Sequence, residues 1–204
     1  MPTSETHIAN LALAHLGESP VQSLDESSAA SRACLLHYAQ CRDEVLRAHR
    51  WNFAQDRAQL TQLSTAPAFG WSFQYALPAL CLRVVEFNDT EIGDVISETF
   101  IIEGRRLLTN SATAKIVFIQ RITDVSLFDP LFTDALAVKL AIKLSEVIRG
   151  ASGKVQELVS AYQNMLMPLA RRTDANEGRR RKGTIAMNSP ALRARFSGGS
   201  YRDR

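Results

Sequence analysis

The stretch from Asp129-Pro130 to Gly150 restricts the fold more than any other part of the chain. Asp129 suits a helix N-cap and Pro130 the first helical position, where its fixed φ fits and no N–H is needed. Leu136, Leu140, Leu144 and Ile148 then line one side, and Ala135, Val138 and Ile142 another. Only a narrow stripe with Lys139, Lys143 and Glu146 stays polar. A helix this apolar must be enclosed around most of its circumference, so other elements have to surround it.

Three further helices are available. Ile8, Leu11, Ala12 and Leu16 share one face of a helix predicted from about Glu5 to Leu16, with Gly17 placed to stop it. Ser23-x-x-Glu26 has the capping-box pattern and predicts a second, longer helix to about His49. Around Ala33-Cys34-Leu35-Leu36 that helix is apolar nearly all round, which predicts a central place in the core. After Ser152, a fourth helix carries Val155, Leu158, Val159, Tyr162, Met165, Leu166 and Leu169 on one stripe, and Pro168 is expected to kink or end it.

Between the helical pairs the chain changes character. Pro67, Gly70, Pro78, Asn88-Asp89 and Gly93 cut it into short pieces rich in β-branched and aromatic residues, at 80–87, 99–102, 106–109 and 115–122. Glu103-Gly104 predicts a tight hairpin turn between two of them. The expected fold is α+β: a four-helix bundle with an inserted small antiparallel β-sheet and an extended C-terminal arm. Its expected divisions are an N-terminal helical hairpin over 1–58, a β-rich insert over 59–124, a C-terminal helical pair over 125–170 and a basic, flexible arm over 171–204.

The arm stands out by charge. From Arg171 to Arg204 ten Lys/Arg face three Asp/Glu, a net +7, whereas the preceding body has fourteen against eighteen, a net −4. With little periodicity and a run Arg179-Arg180-Arg181-Lys182, the arm cannot bury enough apolar surface to order itself. Such a run can neutralise nucleic-acid phosphates, hold carboxylates of an acidic protein partner, or simply be solvated. Elsewhere, no apolar stretch reaches the roughly 18 residues of a membrane span, and the N-terminus does not read as a signal peptide. Cys34, Cys41 and Cys81 are too scattered for a disulfide framework.

Few groups in the sequence are arranged for reaction chemistry. Cys34, His37 and Cys41 could share one helix face and are the best zinc candidates, yet no CxxC or HxxxH pairing accompanies them. The carboxylate groups Asp43-Glu44, Glu86/Asp89/Glu91/Asp94 and Asp124/Asp129/Asp134 sit where loops and caps place them. His7, His15, His37 and His49 all fall on the first two helices, and no nucleophile-elbow, P-loop or dinucleotide-binding motif occurs. The expectation is a non-enzyme with no catalytic residue, metal or cofactor.

Four segments, in order, resemble a known family. Leu11-Ala-Leu-Ala-His-Leu-Gly-Glu-Ser-Pro-Val21 is similar to its opening helix followed by Gly-Glu-x-Pro-Val. Arg42 to Arg50 followed by Trp51-Asn52-Phe53 resembles its long second helix ending in Trp-x-Phe. Tyr75-Ala-Leu-Pro-Ala-Leu-Cys-Leu-Arg-Val-Val85 resembles its Leu-Pro-x-x-Cys-Leu-Arg segment, and a hairpin and two closing helices follow. The family is tail tubular protein A, the head–tail adaptor of short-tailed bacteriophages, and the likeness covers about residues 8 to 170.

The resemblance implies a structural virion protein of the neck and tail, present in the host cytoplasm during assembly. It implies a homo-oligomeric ring of twelve copies bound to the portal protein above and the tail nozzle protein below. Genomic DNA passes through the channel without specific binding, and no membrane is involved. The arm would then anchor on the portal through Arg179, Arg180, Arg181 and Lys182 and the apolar points Ile185, Leu192 and Phe196. Its 34 residues span about 110–120 Å at full extension. The alternative is a nucleic-acid-binding accessory protein that uses the same arm.

Overall fold

The computed structural model describes residues 4–88, 90–91, 100–148 and 153–177. The chain is mixed α+β. Helices α1 (Glu5–Leu16) and α2 (Ala29–Ala48) precede strands β1 (Gln55–Gln59), β2 (Phe73–Ala76), β3 (Cys81–Phe87), β4 (Thr90–Glu91), β5 (Phe100–Glu103), β6 (Arg106–Thr109) and β7 (Lys115–Gln120). Helix α3 (Pro130–Ile148) follows, then α4 (Gly153–Ala161), a π-helical turn (Tyr162–Leu166) and α5 (Met167–Glu177).

The caps explain where the helices start and stop. Ser4 Oγ accepts from the His7 N–H at the head of α1, and Gly17 ends it in the left-handed conformation at φ 71°. Asp129 Oδ1 accepts from the Leu131 and Phe132 N–H groups at 2.8 and 3.3 Å, so α3 begins as its sequence predicts. Helix α2 departs from expectation. Ser23 Oγ accepts from the Asp25 N–H and the Glu26 carboxylate from the Gln22 N–H, which closes a turn rather than a helix. The Ser31 hydroxyl is bonded to the Ser23 and Leu24 carbonyls, tying that turn back onto α2, and Ser28 is the true N-cap.

Helix α3 is the hub: α1, α2, α4 and α5 all pack on it. Its Phe132, Ala135, Leu136, Leu140, Ala141 and Leu144 are fully enclosed, as the all-round apolar pattern requires. Helix α2 is not the central one. Leu35 and Leu36 face outward, 55% and 73% exposed, because Ala33, Cys34, Tyr38, Cys41 and Val45 already fill its inner face.

The last helix also corrects its expected stripe. Leu158 and Tyr162 lie toward the core, but Met165 and Leu169 are exposed, and Met167 and Ala170 are buried instead. The π turn adds a residue to one helical turn and so rotates everything after it. It lies just before Pro168, whose ring cannot donate to the Asn164 carbonyl. The helix neither stops there nor at 170: residues 171–177, expected to be arm, complete α5.

The strands form two antiparallel sheets rather than one. β1-β7-β3-β4 make a four-stranded sheet and β2-β6-β5 a three-stranded one. The four-stranded sheet is the middle layer. On β7, Val117 and Ile119 face the helical core while Ile116 and Phe118 face a second core with Leu60, Tyr75, Val84, Phe87 and Leu107. Burial on both faces accounts for its unbroken apolar run. The β5–β6 hairpin turns at Gly104-Arg105, with φ +60° at Gly104, the first-position positive φ of a type II′ turn. No helix among the described residues is long and apolar enough to cross a membrane.

Candidate functional site

The most elaborate polar construction among the described residues lies where the end of α2, strand β3 and helix α5 meet. It is built on a rigid base. Trp51 is buried, its indole N–H donates to the Val45 carbonyl at 2.9 Å, and its ring meets those of His49 and Phe132 edge-on at 5.1 and 5.2 Å. Phe53 joins the same aromatic group through Phe132, at 5.1 Å. The Trp-Asn-Phe segment is therefore core packing at a helix end, and it leaves His49 and Asn52 facing α5.

Asp174 closes that face. Its Oδ1 accepts from the Asn52 backbone N–H at 2.8 Å and its Oδ2 from His49 Nε2 at 2.9 Å, while Asn52 Nδ2 donates to the Asp174 carbonyl at 2.7 Å. Burial pushes the His49 pKa below its ordinary value, with Arg171 and Arg83 acting in the same direction and Asp174 opposing them. The neutral ring with its proton on Nε2 is thus the form that serves Asp174.

Arginines surround this clamp. The Arg47 guanidinium donates to the Leu82 carbonyl, and Arg50, just past the end of α2, donates to Gln55 and to the buried Glu86. Leu82 and Glu86 are on β3, and Arg83 lies between them in sequence. Arg83 Nε is buried without a hydrogen-bond partner among the described residues. Burial and the charges of Arg47, Arg50 and Arg171 hold the Arg83 pKa below its ordinary value. The Trp-Asn-Phe and Cys-Leu-Arg segments, separate in the chain, are thus assembled into one polar junction.

The residues singled out by sequence are distributed elsewhere. Arg179, Arg180, Arg181, Lys182, Ile185, Leu192 and Phe196 lie outside the described residues, as do Asp89 and Asp94. Cys34 and Cys41 are buried among apolar neighbours, and burial pushes both thiols up to about 11; His37 is half-buried. Among the described residues no group of three or more His, Cys, Asp or Glu side chains is arranged to hold a metal. All three cysteines are free thiols. Asp43 is held by Arg42 and Arg121 at 3.0 and 2.7 Å. Glu44 is held by Lys139 at 2.9 Å, and that hydrogen bond keeps its carboxyl below the usual range. Asp124 and Asp129 act as caps. None of these carboxylates is part of the junction, whereas Glu86, from the same set, is.

Asp174 and Arg171 were legible only as charges on a basic tail; nothing local marks a side chain whose partner is 122 residues away. No protein-family model matches the chain, and no curated protein matches it significantly.

Proposed function

We propose that this protein is a structural head–tail adaptor of a tailed phage, a four-helix bundle with a β insert and a C-terminal arm, acting by assembly rather than catalysis. The order of its segments supports that reading, but the observation that carries it is the apolar surface on two separate layers. Leu35, Leu36 and Met165 are exposed on the helical side, and Phe69, 87% exposed, on the loop before β2. A closed ring of identical subunits needs two different complementary faces on each copy, and exposed apolar residues on two layers support that reading. The mildly anionic body suits a channel wall that lets DNA pass, since each neutralised phosphate adds affinity. In this proposal the arm begins after Glu177, with α5 clamped by Asp174 as its foot, and Arg179 to Lys182, Ile185, Leu192 and Phe196 meet the portal.

The test follows from the clamp. Truncation before Arg171 would remove Asp174 and confuse arm loss with destabilisation, so residues 178–204 are deleted instead. The truncated chain is expected to keep its thermal stability and lose binding to purified portal protein. Undiminished portal binding overturns the arm assignment. Full-length protein mixed with portal is expected to form rings in electron micrographs, and monomers alone under all conditions overturn the adaptor reading. Submicromolar DNA binding that weakens steeply with salt and is lost with residues 178–204 favours the nucleic-acid accessory protein instead.

A further inference from the structure

The arginine junction is a different feature from the arm, and its chemistry does not depend on the adaptor reading. Four arginines are brought to the place where the end of α2, β3 and α5 meet. Arg47 donates to the Leu82 carbonyl beside Arg83, Arg50 donates to Glu86, and Arg171 lies one turn before Asp174, which holds α5 to the end of α2. The charges of the other three bear on Arg83. Two carboxylates face them, and both are committed: Glu86 to Arg50, and Asp174 to His49 and Asn52. The next carboxylates on α2 are taken as well, Glu44 by Lys139 and Asp43 by Arg42 and Arg121. Two positive charges are therefore left over among the described residues. Like charges at close range are unfavourable, and a protein keeps such a group when an anion joins it.

The donors are available. Arg47 and Arg171 are exposed, and Arg83 is half-buried, its Nε enclosed and without a partner among the described residues. The scaffold is rigid, because Arg47 is fixed to the Leu82 carbonyl, Arg50 to Glu86, and α5 to the end of α2 through Asp174. A single carboxylate would bring one charge and two acceptor oxygens, leaving a positive charge over. A phosphate dianion brings two charges and enough oxygens to engage several guanidinium forks at once.

We propose that Arg47, Arg83 and Arg171 form a phosphate-binding site at the foot of the last helix, with Arg50 held beside it by Glu86. The ligand is phosphate chemistry carrying two negative charges, either one free inorganic phosphate dianion or two successive singly charged phosphodiesters of a nucleic-acid backbone that touches the body.

Arg171→Gln is the first variant, since Arg171 is exposed on α5 and its loss leaves the Asp174 clamp intact; Arg83→Gln is the second. Binding of inorganic phosphate and of a short DNA duplex to the full-length protein is measured by calorimetry in chloride buffer of physiological ionic strength. Saturable phosphate binding that Arg171→Gln weakens at least roughly tenfold supports the site, that factor being the low end for hydrogen bonds to a charged group. Phosphate binding with no Arg171-dependent duplex binding assigns it to free phosphate. Duplex binding that falls in the same variant and is displaced by phosphate assigns it to the phosphodiester. The proposal is overturned if neither probe binds, or if both variants bind the probes as the wild type does. It is also overturned if an oligoglutamate peptide binds in an Arg171-dependent manner and phosphate does not.

Discussion

Asp174→Ala is the sharpest perturbation of the fold, because it removes one carboxylate and thereby unpairs two donors. The Asn52 backbone N–H at 2.8 Å and the His49 ring N–H at 2.9 Å both lose their acceptor. The side chains of His49 and Asp174 are only 16% and 12% exposed, so water replaces the acceptor poorly. Hydrogen bonds to a charged group contribute about 1.5–3 kcal/mol each. Some relaxation is available, since the Asn52 amide can still reach the Asp174 carbonyl, and the expected loss is about 3 kcal/mol. Asp174→Asn keeps an oxygen for the Asn52 N–H but turns an amide toward His49, which must then shift its proton to the other nitrogen; about 1 kcal/mol is expected. Urea denaturation gives the stability, and limited trypsin digestion at Arg171-Arg172 reports whether α5 has come loose. Unfolding of Asp174→Ala within about 0.5 kcal/mol of the wild type, the range of an ordinary surface substitution, would refute the clamp.

Other expectations come from the same structure. The depressed pKa of His49 means that its contribution to stability is full above its ordinary value of 6.5 and is lost as pH falls from there through the lowered folded-state value. His49→Gln is expected to flatten that part of a pH–stability curve, and an unchanged curve would show that His49 is not its source. Phe132→Ala empties the centre of the aromatic group formed with Trp51, Phe53 and Phe128 and is expected to cost about 3–5 kcal/mol, read by denaturation followed through tryptophan fluorescence. At Gly104 nothing lies within 4 Å of an added Cβ, so Gly104→Ala carries only the conformational cost of its φ of +60°, about 1 kcal/mol, measured as a shift in melting temperature.

Much of the fold was written in local signals. Ser4, Gly17 and Asp129 act on backbone groups within three or four residues, and the α3 pattern states outright that neighbours must cover it. The β1 strand, Gln55–Gln59, carried no such signal. Its polar residues form a strand only because β7 lies beside them to pair with. The misplaced start of α2 has a related cause: Ser23 and Glu26 fit a cap, but Ser31 holds their turn in another conformation.

By itself, then, the sequence determined which segments are helical, where most of them end, that α3 is enclosed, and that the middle of the chain is β-structure. These follow from interactions a few residues long, which a linear chain displays directly. Tertiary structure alone decided that α3 rather than α2 is the hub and that the strands split into two sheets. It also decided that Met165 is exposed within the π turn and Leu169 after it, and that Asp174 is a clamp joining α5 to the end of α2 beside the arginines. Each of these depends on groups brought together from distant positions, where desolvation and charge act through space and sequence spacing carries no record of them.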